Sequence, residues 1–133
     1  MAAKAKMLGV WIDINNPNRS TDDPLNLTVG GTIILNAEAV RLVDKSLMQV
    51  KIKVMDSDSF EDDLLLTDQS FQVGVHDTSP HCFHTGVIVP ASKLNDCEPF
   101  WESEAEVYAR VSAKAGTVQT NAANSQTEDV DVD

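Results

Sequence analysis

The residues best suited to chemistry in this chain are carboxylates concentrated in one short run. Residues 56–63 have the sequence Asp-Ser-Asp-Ser-Phe-Glu-Asp-Asp, directly after an apolar stretch. Like charges this close repel one another unless water or a cation screens them. In an extended backbone Asp56 and Asp58 point the same way, and Asp62 or Asp63 can fold back to complete a cage of oxygens, the ligands that Ca²⁺ prefers. The run therefore predicts a calcium site.

The same run resembles part of a known family. The order strand, Asp-x-Asp, aromatic, acidic pair, aliphatic is similar to the third calcium loop of C2-type domains, which are calcium-dependent β-sandwiches. In that family an earlier loop supplies an aspartate and then a Ser-Asp-Pro segment at a strand start. Here Asp13, followed by the sequence Ser-Thr-Asp-Asp-Pro-Leu at 20–25, is similar in order. The resemblance implies a Ca²⁺ site with ligands drawn from Asp13, Asp22, Asp23, Asp56, Asp58, Asp62 and Asp63.

Other interpretations of the acidic run stay open at this point. A solvated loop whose charges block edge-to-edge aggregation of a β protein has the same composition, and so does a site for another cation. An EF-hand is not predicted, because neither acidic loop has the glycine at position six and the terminal glutamate of that pattern.

A second group of candidate ligands contains three histidines and two cysteines: His76, His81, Cys82, His84 and Cys97. Imidazole and thiolate bind Zn²⁺, and a closed structural site needs four ligands. The spacing matches no zinc module, because a second closely spaced pair is missing. Ordinary loop histidines with a lone or buried cysteine fit better, and a disulfide between the two cysteines is a further option in an oxidising compartment.

No enzyme motif accompanies these groups. The chain has no Gly-rich phosphate loop, no Gly-x-Ser-x-Gly elbow and no His-Glu-x-x-His. We therefore expect a non-enzymatic protein. Trp11, Phe100 and Trp101 are expected to plug the core.

The elements that must position these residues are predicted to be strands. Residues 47–55 alternate strictly, with Met48, Val50, Ile52 and Val54 on one face and two lysines on the other. Residues 104–111 alternate in the same way. The glycine pair 30–31 is expected to divide an apolar segment into two strands at a bulge or turn. Residues 36–44 are ambiguous, and a helical turn is one interpretation of them. The pattern predicts an all-β fold, an antiparallel β-sandwich of about seven or eight short strands.

Composition suggests three parts: a flexible N-terminus at 1–6, the β-sandwich domain at 7–113, and a disordered acidic tail at 114–133. The tail is polar and ends in alternating acids, so it offers little apolar area to offset its ordering entropy. No signal peptide or membrane span is expected, which favours a soluble, cytoplasmic protein.

The charge limits the range of partners. A formal net charge of −11 opposes direct nucleic-acid binding, and contact with an anionic membrane would need calcium as a bridge. We expect a protein partner or self-association. The leading hypothesis is a calcium-binding module, and the alternative is a structural or assembly subunit of the virion, filament or inclusion-body type that self-associates through its sandwich.

Overall fold

The structure, a computed structural model, describes residues 2–43, 47–57, 64–96 and 104–132. Within these ranges it contains nine strands and two short helices. The elements are β1 Ala5–Ile14, β2 Leu25–Leu35, α1 Ala37–Val43, β3 Met48–Asp56, β4 Leu64–Val73, β5 His81–Val89, α2 Ala91–Asp96, β6 Glu104–Ala115, β7 Val118–Gln119, β8 Ala123–Asn124 and β9 Glu128–Asp131. The predicted all-β fold is confirmed.

The strands form two antiparallel sheets. The first sheet has the order β1-β2-β5, and the second has the order β4-β3-β6, with β7, β8 and β9 all pairing with the far side of β6. Aliphatic side chains from both sheets fill the space between them and form one core. The chain is therefore an antiparallel β-sandwich, as predicted. None of the helices among the described residues is long and apolar enough to cross a membrane.

Strand β3 follows its predicted alternation. Val50, Ile52 and Val54 have no exposed surface, whereas Gln49 and Lys51 are exposed on the outer face. A side chain that is apolar and fully buried contributes about 1.5–3 kcal/mol through the hydrophobic effect. The period of two thus fixes which face of β3 meets the core.

The prediction of a strand break at the glycine pair is wrong, because β2 runs without interruption from Leu25 to Leu35. The irregularity lies in the neighbouring strand, where the register shifts between Leu8 and Trp11 and Gly9 has a φ of +60°. Gly30 is needed for space instead: a Cβ there would lie 2.3 Å from the Trp11 ring. Close approach of a side chain is a second reason for glycine inside a strand.

Residues 2–6 are ordered by Asn36, which precedes α1. Its Oδ1 accepts from the backbone amides of Ala39, at 2.9 Å, and Lys4, at 3.0 Å, and its Nδ2 donates to the carbonyl of Ala2. The first contact is an N-cap, and it settles the ambiguous segment as the helix α1. The flexible N-terminus predicted for 1–6 is wrong for residues 2–6.

The disordered tail predicted for 114–133 is also wrong for the described residues 114–132. Strand β6 extends to Ala115, Gly116 turns the chain at a φ of +59°, and the returning segment pairs with β6 as far as Asp131. Val118, Val130 and Val132 are buried. Three buried valines and the backbone hydrogen bonds to β6 stabilise this segment, although its average composition is polar.

The returning segment also connects the two sheets. The side-chain amide of Asn121 bonds the backbone N–H and C=O of Met7, and the amide of Gln126 bonds those of Ile12. On the opposite side of the sandwich, the Gln69 amide donates to the Gly86 carbonyl at 3.0 Å. Side-chain amides therefore replace ladder bonds where sheet edges meet, which protects those edges from other chains.

Candidate functional site

Asp56 is the last residue of β3 and occupies the core side of that strand. It continues the buried series of Ile52 and Val54, and it lies opposite Val107 of β6. Its relative exposure is 0%, and neither carboxylate oxygen has a hydrogen-bond partner among the described residues. A carboxylate thus occupies a core-facing position where the alternation of β3 predicts an apolar side chain.

An unpartnered carboxylate in such a position is energetically costly. Leaving a buried polar group without a partner costs about 1–3 kcal/mol, and more if it carries charge. A cation, water or a proton can relieve that cost. Glu128 provides a contrast in the same row of the sheet: it pairs with Val107 from the other side, is only half-buried, and accepts from Gln126 at 3.2 Å. Glu128 thus has a hydrogen-bond partner, whereas Asp56 has none among the described residues.

The backbone stays attached to the sheet just past Asp56. The amide of Ser57 donates to the carbonyl of Glu106 at 2.8 Å. The remaining predicted ligands of this run, Asp58, Asp62 and Asp63, lie outside the described residues. The structure thus fixes where the acidic run begins, at the end of the sandwich where β3 ends and β6 starts.

The upstream predicted ligands lie at the same end of the sandwich. Asp13 is exposed near the end of β1, and Asp22 and Asp23 are exposed in the loop that leads to β2. The Arg19 guanidinium of this loop donates to the carbonyl of Asp131 in β9, which places the loop beside the first residues of β6. Topology therefore gathers Asp13, Asp22 and Asp23 at the same end as Asp56.

The loop at 15–24 is held together by groups other than a cation. Arg19 donates to the carbonyls of Ser20 and Asp23, at 3.0 and 2.7 Å, and Asn16 bridges the Pro24 carbonyl and the Asn26 amide. The Asp23 carboxylate accepts from the backbone amide of Ser20 at 3.3 Å. Within the described ranges, no three side chains of His, Cys, Asp or Glu come together as a metal site. Asp13, Asp22 and Asp23 thus share an end with Asp56 without forming a cluster with it.

The described members of the histidine and cysteine group do not form a metal cluster. Cys82 and His84 are exposed on the outer face of β5, and His81 lies near Asp77, with Nε2 3.5 Å from the carboxylate. Cys82 is a free thiol, so it does not form the disulfide that the sequence left open, and Cys97 lies outside the described residues. Ordinary loop and surface positions account for these side chains.

The Asp77 carboxyl has a lowered pKa. Its main cause is the hydrogen bond from the Ser79 hydroxyl, followed by the bond from the Ser79 amide at 2.9 Å. Both bonds favour the ionised form and close a short Asx turn before β5. The shift therefore reflects turn formation and not a catalytic arrangement.

The prediction that Trp11 plugs the core is wrong. Its side chain is 40% exposed and lies over Gly30 on the outer face of the first sheet. The bulge at Gly9 turns Trp11 to that face, a shift that periodicity alone does not reveal. Phe100 and Trp101 lie outside the described residues.

Two features of this end of the sandwich were not predicted from the sequence. The burial of Asp56 could have been predicted from the alternation of β3, because Asp56 continues the even-numbered series of Ile52 and Val54 on the core face. The role of Arg19 carried no sequence signal, since its partners are backbone carbonyls, one of them far along the chain. Comparison with known proteins adds no further constraint: no family model matches the sequence, and no curated protein matches it significantly.

Proposed function

We propose that this protein is a non-enzymatic calcium-binding β-sandwich module of C2-like type, in which Ca²⁺ binds where β3 ends and stabilises the protein or its complex with a partner. The observation that carries the proposal is the Asp56 carboxylate, fully buried and without a partner among the described residues. It stands at the head of a run that holds four further carboxylates within seven residues.

A divalent cation would reduce two energetic costs in this segment. It compensates the buried charge of Asp56, and it screens the repulsion between neighbouring carboxylates. Asp58, Asp62 and Asp63 would supply the remaining side-chain oxygens, because the described carboxylates do not form a cluster by themselves. Asp13, Asp22 or Asp23 would join from the same end if the loop at 15–24 moves toward the bound ion.

The consequence of binding would be local order and a change in charge. Neutralising the acidic end would let it contact a protein partner that the free carboxylates repel. Any contact with an anionic lipid surface would depend on the same ion, because the chain carries a net charge of −11.

Thermal unfolding in EDTA, in Ca²⁺ and in Mg²⁺ tests the proposal. A ligand at about 100 times its dissociation constant adds about 2.7 kcal/mol, which should raise the unfolding midpoint by several degrees. We expect a calcium-selective rise in the wild type and none in Asp56→Asn. The matched control is Asp68→Asn, which removes an exposed carboxylate from β4 and should respond to calcium like the wild type.

The same variant gives a second readout in EDTA. There the amide of Asp56→Asn removes a buried charge without a counter-ion, so the variant should be as stable as the wild type or more so. A wild type that unfolds at the same temperature in EDTA and in Ca²⁺ would overturn the calcium proposal, whatever the variant does.

A further inference from the structure

The edge of β1 that faces the C-terminal segment is capped at two positions and open at its start. The side-chain amides of Asn121 and Gln126 bond the backbone of Met7 and Ile12 on this edge. In an antiparallel ladder the backbone groups of every second residue point to the same side, so the N–H and C=O of Ala5 lie on this edge as well. No hydrogen bond from another described residue to these two groups is found.

A groove of about 610 Å³ lies beside the open part of this edge. Its apolar surface includes Ala3, Ala5 and Ile34, all of which are partly buried. The side chains of Lys4 and Lys6 line it too, and both are exposed. We name this surface the β1 groove. It combines backbone groups without a partner, apolar surface and two cations.

The β1 groove is positively charged although the chain as a whole is acidic. None of the described residues that line it is a carboxylate. The cross-strand neighbour of Lys6 is the uncharged Ile34, and Glu38, the first carboxylate after β2, is paired with Arg41 of its own helix. Neither Lys4 nor Lys6 forms an ion pair with a described residue. Their ammonium groups are therefore available to an acidic ligand.

One segment of this chain has the matching chemistry. Residues 58–63, which lie outside the described residues, have the sequence Asp-Ser-Phe-Glu-Asp-Asp, an aromatic residue between carboxylates. Phe60 is complementary to the apolar surface of the β1 groove, and the carboxylates on either side of it are complementary to Lys4 and Lys6. An extended segment that lies along a strand edge also gains main-chain hydrogen bonds, and Ala5 offers a donor and an acceptor for them.

This segment is too short to reach the β1 groove of its own chain. Gln119, which lines the groove, pairs with Lys114, and Lys114 lies opposite Gln49 at the start of β3. The segment instead follows the other end of β3, and the strand from Gln49 to Asp56 spans about 23 Å. Six residues that must return to Leu64, the partner of Asp56, extend at most about 12 Å from the sheet. An occupant with this sequence must come from another molecule.

We infer that the β1 groove binds residues 58–63 of a second copy of this chain. The groove and the segment lie at opposite ends of the sandwich, so each copy binds one neighbour through its groove and another through its segment. Such a head-to-tail contact continues into open chains of molecules unless the rotation closes a ring. Because the occupant is only six residues long, each contact should be weak and readily reversible. The contact needs no calcium, and calcium bound to the same carboxylates would compete with it.

A synthetic peptide of residues 57–64, added to the dilute isotope-labelled protein in EDTA, tests the recognition step by NMR. We expect the amide resonance of Ala5 to shift and to saturate as peptide is added. A peptide with Phe60→Ala should bind about tenfold more weakly or worse, because it loses the apolar contact. A peptide with Ser59→Ala is the matched control and should bind like the wild-type peptide. An Ala5 resonance that does not respond to excess peptide, or equal binding of the Phe60→Ala peptide, would overturn the inference.

Sedimentation of the full chain across a concentration series in EDTA tests the assembly step. We expect the average mass of the wild type to rise with concentration. Lys4→Glu with Lys6→Glu, and separately Glu61→Lys with Asp62→Lys, should weaken association roughly tenfold or more, because each places like charges on both sides of the contact. Mixing the two variants should restore association, because the reversed groove of one then meets the reversed segment of the other.

A control variant separates the β1 groove from net charge. Lys51→Glu with Lys93→Glu changes the net charge by the same amount as the groove variant, at exposed positions that do not line the groove, and it should associate like the wild type. A wild type that stays monomeric at every concentration, or variants that do not recover on mixing, would overturn the inference. Because EDTA is present throughout, either result is independent of the calcium proposal.

Discussion

The side-chain amide of Asn121 bonds the backbone of Met7 in the way that a neighbouring strand of the first sheet would. Its Oδ1 accepts from the Met7 amide at 3.0 Å, and its Nδ2 donates to the Met7 carbonyl at 3.1 Å. The two residues are separated by 114 positions, so the contact joins the first strand to the last part of the chain. A carboxamide has the same donor and acceptor as a peptide group, which is why one side chain can substitute for a ladder pair.

Replacing this amide should destabilise the fold. Asn121→Ala removes two bonds to part-buried backbone groups, and we expect a loss of about 1–3 kcal/mol in the free energy of unfolding, measured with denaturant. Asn121→Asp keeps an acceptor for the Met7 amide but presents a carboxylate to the Met7 carbonyl, so it should be at least as unstable as the alanine variant. The exposed Asn18 provides the control, and Asn18→Ala should stay within about 0.5 kcal/mol of the wild type.

Gly30 and Trp11 offer a test of close packing. Since a Cβ at Gly30 would overlap the indole at 2.3 Å, Gly30→Ala should displace Trp11 and cost about 1–3 kcal/mol of stability. The indole N–H resonance of Trp11 should move in an NMR spectrum. Gly86→Ala is the control, because the nearest atom to its new methyl is 4.0 Å away.

A double variant distinguishes overlap from other causes. Trp11→Ala removes the ring, so adding Gly30→Ala to it should cost nothing further and can be slightly stabilising, since glycine weakens strands. Additive losses would show that the Trp11 ring is not what excludes a side chain at position 30.

The sequence was most informative where burial is periodic. The alternation of β3 predicted its core face, and continuing the even-numbered series past Val54 places Asp56 on that face as well. Predictions failed where one irregular residue redirects the chain, as Gly9 does before Trp11, or where a distant partner decides the outcome, as for residues 118–131. Composition measures average polarity, whereas the tail is held by three buried valines and by two amides whose partners lie in β1.

The Asx turn before β5 predicts a pH effect. The folded pKa of Asp77 lies below its ordinary value of 3.8, so the stabilisation from the turn is present above that value and is lost as pH falls through the folded pKa. Ser79→Ala removes the main cause and should raise the pKa of Asp77 toward 3.8, as measured by NMR titration of the carboxyl carbon. Ser112→Ala, on the second sheet, should leave it unchanged. An unaltered pKa of Asp77 in the first variant would show that the hydroxyl is not its cause.

Hydrogen exchange tests whether the C-terminal segment is part of the fold. The Thr120 amide donates to the Ala113 carbonyl and the Ser125 amide donates to the Ala109 carbonyl, each at 2.8 Å, at the two points where the register of this segment shifts along β6. We expect both amides to exchange far more slowly than that of the exposed Asn18, and to become unprotected together in Asn121→Ala if that amide anchors the segment. Exchange at the rate of an unstructured peptide in the wild type would show that residues 118–131 do not pair with β6 in solution and would restore the disorder that composition suggests.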